Sequence, residues 1–598
     1  MNRWRMSFIS TLMFLPWVGV SAQQEDQAEK ALAAVISAHE RLSRELDPIS
    51  AGQEGDREAL RRWADVRPGA VADAQRARLE LRRQLQAIDS TQLSASSELN
   101  HRLLMRLLDE AIEEVKYDLD RLAFQNDSGF HTLADYVART TAVSSREDAE
   151  AWLARLEALP AFYEQNIANL RRGIRTKLTQ PRIVVERVLD VARQHAKQGA
   201  KDSSLLLPFA NRPASIPESA HQTFRTRAVD LYEDRIQPSQ QAFVTFLERE
   251  YLPAARKSLA VRTVPDGENI YRFLVRSETT TQLSPDEIHQ IGLSEVARIR
   301  ALMEETIRSV NFEGSFAEFL QMLRTDERFY APTPEELLQI ASEIAKRADD
   351  RLPGLFGTLP RLTYGVRPVP AEIAEGYTTG RYWTGSMPLG QAGGYMVNTS
   401  KLDQRPLYEL PALTLHEAVP GHHLQIALSQ ELTDVPYFRR NWSQTAFVEG
   451  WGLYAEFLGE EMGIYRDAYE RFGRYSYEMW RACRLVADTG IHWKGWDIEQ
   501  ARRCFTENSA LSPHNIQTEL ERYISWPGQA LAYKVGELKL RELRQHAQST
   551  LGERFNVREF HDLILLGGAM PLDVLEERVK EWVEGTTENG DGGDEVTK

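Results

Sequence analysis

A mainly α fold with a small β-sheet (α+β) is predicted by three stretches of contrasting texture. From Glu25 to about Arg175, Ala, Leu, Arg and Glu dominate, Gly and Pro are scarce, and apolar positions recur at helical spacing. Between Leu352 and Thr399, Pro, Gly, Tyr and Thr become frequent, and LTYGVRPVP and GGYMVNT read as strands among irregular loops. Beyond them the sequence returns to helical patterning as far as about Glu584.

In chain order, MNRWR followed by the apolar MSFISTLMFLPWVGV and the small residues of VSA form a signal-peptide pattern over residues 1–22, with cleavage expected after Ala22. The apolar stretch is short for a membrane span, and no integral membrane segment is expected after cleavage. No Cys follows the small residues, so a lipid anchor is not expected. Residues 23–350 form a mainly helical amino-terminal lobe. Within it, AAVISAHERLSREL, ELNHRLLMRLLDEAIEEVKYDLDRL and DAEAWLARLEAL each carry an apolar stripe. A further helical block covers His221 to Leu259, and Ser284-Pro285 with the acidic residues after it opens another helix. Residues 351–584 form the catalytic region, integrated with the lobe because no Gly/Ser/Pro linker separates them. GYTTGRYWTG, Gly376 to Gly385, lacks the lysine of a phosphate loop and reads as a flexible loop flanking a substrate. Residues 585–598 read as a disordered acidic tail.

The formal net charge of −15 argues against nucleic acid as a partner. Two cysteines, Cys483 and Cys504, are too few for a disulfide framework; their spacing allows either a bridge or two thiols.

The chemistry concentrates in HEAVPGHHLQ, His416 to Gln425. In H-E-x-x-H two His lie one helical turn apart and bind zinc, while the Glu acts on the zinc-activated water. Here the fifth position is Pro420. In an unbroken helix His423 returns to within about 20° of His416, whereas His422 lies about 120° away. Pro420 removes a backbone donor, however, and Gly421 tolerates unusual dihedrals. If the two are looped out, His422 becomes the second ligand. A third ligand is available in TAFVEGWGLYAEFLGEE, where Glu449 is the leading candidate and Glu456, two turns on, the alternative.

With VEGWGLYAE after it, HEAVPGHHLQ resembles the bacterial family known as domain of unknown function 885, itself similar to gluzincin-type zinc metallopeptidases. The resemblance extends through GGYMVNT, RLVADTGIHWKGWD (Arg484 to Asp497) and SWPGQALAYKVG (Ser525 to Gly536). It implies an H-E-x-x-P-G-H pattern, one zinc ion held by His416, His422 and Glu449, Glu417 as general base, and a two-lobed helical architecture around a deep cleft.

Remaining roles follow from residue chemistry. GGYMVNT suits an edge strand that pairs with a substrate backbone, and Asn398 within it is a candidate for substrate binding. His492 and Tyr533 could donate hydrogen bonds to an oxyanion, with Tyr523 a competitor or substrate contact. Arg484 could bind a substrate carboxylate or a structural one, and Asp488 could orient His492 or support a zinc-bound His. The function expected is an exported, periplasmic or secreted zinc metallopeptidase acting on short peptides. The alternatives are a zinc hydrolase of a non-peptide amide or ester, and an exported binding protein that keeps the fold without turnover.

Overall fold

The computed structural model describes residues 18–591 except 127, 376, 388 and 389. Residues 1–17 of the expected signal peptide lie outside the described residues. The chain divides into two compact units.

The smaller unit carries three helices: α1 (Val18–Leu46), α2 (Pro68–Gln86) and α3 (Ala95–Glu114). Their apolar stripes bury Leu32, Val35, Leu81, Leu85, Leu103 and Leu104, as the periodicity predicts. The α3 pattern was expected to run on to Leu122. The chain instead turns at Asp118, which has a left-handed backbone, into a short 3-10 segment over Leu119–Leu122.

The larger unit, Pro48–Arg67 with Tyr117–Lys598, holds the site. The long helix α4 (Arg146–Thr176) starts from a reciprocal Ser145/Asp148 capping box. The block expected over His221–Leu259 is helical from Glu218 to Ala254 with two π-helical turns. α5 (Pro285–Ser309) begins at the Ser284-Pro285 signal, with Ser284 and Glu287 forming its capping box.

The sheet has three strands, β1 (Tyr364–Pro368), β2 (Gly380–Trp383) and β3 (Gly393–Val397), in the order β1-β3-β2. β3 pairs in parallel with β1 and antiparallel with β2. GGYMVNT is therefore central, not the edge strand expected, and its five strand residues are all buried. One of the two edge strands, β2, lies inside GYTTGRYWTG, which was expected to be a loop. Its residues alternate between buried and exposed, so one face packs while the other meets solvent.

The helices that follow include α6 (Leu410–Glu417), α7 (His422–Glu431), α8 (Thr445–Glu461), α9 (Ala468–Thr489), α10 (Ile498–Asn508), α11 (Pro513–Ser525), α12 (Ala532–Leu551) and α13 (Leu572–Asp591). α8 crosses α12 closely, because a Cβ on Gly450 would lie 2.6 Å from the Gly536 backbone. The fully buried Lys534 of α12 binds Glu295 of α5, Glu478 of α9 and Glu537 at 3.0, 2.8 and 2.8 Å, tying three helices together. Cys483 of α9 and Cys504 of α10 form a disulfide. Among the described residues no helix is long and apolar enough to cross a membrane.

The expected tail is corrected in part. α13 continues to Asp591, with the Thr586 and Thr587 hydroxyls donating to the carbonyls of Trp582 and Val583. A helix already nucleated by packing extends through polar residues that would not start one. Residues 592–598 lie outside the described residues.

Candidate metal centre

The HEAVPGHH segment is two helices, not one. α6 ends at Glu417 and α7 begins at His422, with Ala418 to Gly421 forming the turn between them. The His423 N–H reaches the Ala418 carbonyl at 3.1 Å, a step of five residues in place of four. A side chain on Gly421 would collide with the His416 carbonyl, so only glycine allows the turn to fold back this tightly. The Trp451 indole N–H donates to the Pro420 carbonyl at 2.8 Å and fastens the turn to α8.

This turn brings His422, not His423, to His416. Their rings meet edge to face with centroids 4.6 Å apart. Oε2 of Glu449, on α8, lies 3.4 Å from Nε2 of His416 and 3.5 Å from Nε2 of His422. One ligand atom from each of the three lies within 4.8 Å of the others. His423 points elsewhere: its Nδ1 pairs with the Tyr382 hydroxyl and its Nε2 with the Leu362 carbonyl, each at 3.1 Å. Burial pushes its pKa down to about 4, which keeps it neutral.

The donor set fits a cation. Glu449 Oε2 is buried without a hydrogen-bond partner although it faces two imidazoles. Burial alone would push the Glu449 carboxyl up, but the facing imidazoles of His416 and His422 outweigh it and hold it well below the usual range. For His416 burial acts downward, and the carboxylates of Glu449, Glu456 and Glu417 overcome it, raising the ring to about 10. Two imidazoles and a carboxylate gathered in one buried place are a donor set that could hold a metal ion.

The surroundings orient these groups. Nδ1 of His416 pairs with Glu456 Oε1 at 2.8 Å, and the same oxygen lies 3.3 Å from Arg481. Glu456 thus holds the His416 ring and lies outside the donor cluster. Gly452 gives His416 room, since a Cβ there would lie 2.6 Å from the ring. Glu417 accepts a 2.8 Å hydrogen bond from the Tyr382 N–H of edge strand β2.

Several expected roles are corrected by burial and bonding. Both nitrogens of the fully buried His492 are occupied: Nδ1 accepts from Val261 N at 3.1 Å, and Nε2 donates to the Tyr523 carbonyl at 2.9 Å. No proton is left there for an oxyanion. Asp488 does not orient it but accepts from the Tyr271 hydroxyl and Gly528 N. Arg484, 2% exposed, binds Tyr523 and the structural carboxylate of Glu519 at 3.0 and 3.1 Å. Tyr523 is fully buried and donates to Glu519 at 2.7 Å, which removes it from substrate contact. Asn398 is also fully buried, and its amide donates to the carbonyls of Ala374, Tyr377 and Thr378, holding the loop before β2. Tyr533 accepts from Arg522 at 3.2 Å beneath the Arg484 guanidinium.

Residues 48–579 match the family described as "Bacterial protein of unknown function (DUF885)". The chain belongs to that family. This DUF885 member is similar to the crystal structure of a "putative lipoprotein" from Colwellia psychrerythraea, with a TM-score of 0.86 and 26% identity over 93% of this chain and 99% of that one. It shares its fold with a "putative lipoprotein of unknown function" from Shewanella oneidensis, with a TM-score of 0.67 and 17% identity over 92% and 99% of the two chains. No curated protein matches it.

Proposed function

We propose that this DUF885 member is an exported zinc-dependent peptidase of the gluzincin type, acting on short peptides. The observation that carries the reading is the convergence of His416, His422 and Glu449 within 4.8 Å, beside the carboxylate of Glu417. A zinc ion held by those three residues would polarise a carbonyl and acidify a water molecule. The chain's own groups would handle the proton: Glu417, oriented through one oxygen by the Tyr382 N–H, takes it and returns it to the leaving amine. Of His492, Tyr523 and Tyr533, Tyr533 keeps an uncommitted hydroxyl proton, since its hydrogen bond among the described residues is received from Arg522. The two-lobed cleft belongs to the same proposal. A cavity of about 640 Å³ includes Arg381 of β2, the neighbour of the residue that holds Glu417, and supports it.

Export is supported by the Cys483–Cys504 disulfide, a bond that persists in oxidising compartments, and by the "putative lipoprotein" description of the similar structures. The test is mass spectrometry of short-peptide mixtures incubated with the zinc-supplied chain. Cleavage by the wild type and none by Glu417→Gln with metal content unchanged is the expected result. Equal cleavage by both, or none by the wild type, would remove the reading.

A further inference from the structure

The cavity beside the sheet has an excess of uncommitted positive charge. Three of its cations are neutralised: Arg187 by Glu521 at 3.5 Å, Lys401 by Glu375 at 3.4 Å and Arg522 by Glu519 at 3.7 Å. Arg324, Arg381 and Arg405 form no ion pair among the described residues. Arg324 donates to the carbonyls of Ser509 and Ala510, and Arg381 stands exposed over the Tyr377 ring. Arg405 is half-buried, its side chain forms no hydrogen bond among the described residues, and its Nε is buried without a partner. A buried guanidinium N–H left without an acceptor in a cavity wall costs free energy that a bound acceptor would recover.

The opposing acids are weak counterweights. Asp403 and Glu409 also line the cavity and influence Arg405, yet neither forms an ion pair among the described residues. Glu409 is 8% exposed, and burial, opposed by Arg481, Arg405 and Arg324, pushes its carboxyl to about 7. Burial thus weakens Glu409 as a counter-charge to Arg405.

Position connects this charge to the metal centre. Glu409 precedes α6, and His416 and Glu417 end it. Seven residues of α-helix separate Glu409 from His416, roughly 10 Å. An extended chain covers that distance in about three residues.

We propose that the cavity captures the free α-carboxylate of a short peptide on Arg405, with Arg324 and Arg381 adding to the field, so that a di- or tripeptide is removed from the substrate's carboxy end. The inference rests on the peptidase reading for the cleavage but not for the binding.

The test is calorimetric titration of the Glu417→Gln protein, in which no hydrolysis obscures binding, with pentaalanine, its C-terminal amide and its N-acetyl form. Amidation should weaken binding about 10- to 100-fold, the effect of losing one charge-assisted pair, while acetylation should have little effect. Arg405→Gln should weaken the acid to the level of the amide and leave the amide unchanged, with Arg405→Lys in between. An unchanged melting temperature shows that the fold is kept, because no partner group is orphaned. Equal binding of acid and amide, a loss on acetylation (which would point to Glu409), or no binding by any of the three at millimolar concentration would overturn the proposal. The titration needs no turnover, so a wild type that cleaves nothing, with the Arg405 pattern intact, would fail the peptidase reading and leave this one standing.

Discussion

Nδ1 of His416 lies 2.8 Å from Oε1 of Glu456, on the side of the imidazole away from Glu449. The carboxylate sets which ring nitrogen carries the proton and aims Nε2 at the donor cluster. Glu456→Gln keeps the shape but loses the charge. It should lower zinc affinity about 10- to 100-fold without removing a ligand. Competition against a chelator of known affinity measures this, and unchanged affinity would mean that the pair is only structural.

Gly452 tests whether the space around His416 matters. Alanine there would place a Cβ 2.6 Å from the ring with α8 fixed behind it. Gly452→Ala should lose metal and hydrolysis together while far-ultraviolet dichroism stays helical. Full metal content in this variant would show that the ring can move aside at no cost.

Asp488 gives a pH dependence with a defined sign. Burial lifts its carboxyl to about 7, against the Tyr271 and Gly528 hydrogen bonds, from an ordinary 3.8. Across that interval the folded chain holds a proton that the unfolded chain has released, so this group's contribution to stability falls as pH rises and stays lost above about 7. The difference in unfolding free energy between Asp488→Asn and wild type should move in the variant's favour from pH 4 to 7, by up to a few kcal/mol. A difference independent of pH would contradict the assignment.

The Cys483–Cys504 bridge closes a loop with a sequence separation of 21 residues between α9 and α10. Replacing both by Ala should destabilise the chain by about 3 kcal/mol, read as a lower denaturant midpoint. Reduction of the wild type should reproduce the shift, and an unchanged midpoint would show that packing alone holds the two helices.

The fold was largely legible because helical periodicity and capping boxes, such as Ser284 with Glu287, act over a few residues. Spacing alone could not choose between His422 and His423, since the choice depends on how Pro420-Gly421 breaks the helix. Only a turn that folds Gly421 onto the His416 carbonyl decides it. His492, Tyr523 and Asn398 differ from expectation for another reason, and Arg484 takes the structural one of its two expected partners. The donors that suit catalysis also satisfy buried carbonyls and carboxylates, and sequence does not reveal burial. The supporting role of Glu456 was hidden because it and Glu449 lie two turns apart on one face, and spacing cannot say which meets the near side of the imidazole. Arg405 and Glu409 follow no local pattern and become conspicuous only through the partners they lack.

Zinc content, measured by elemental analysis on the purified wild type, His422→Ala and His423→Ala after supply of zinc, tests the account at its centre. About one zinc per chain in the wild type and in His423→Ala, with loss in His422→Ala, is the predicted result. No zinc in any of the three, or loss confined to His423→Ala, would contradict it.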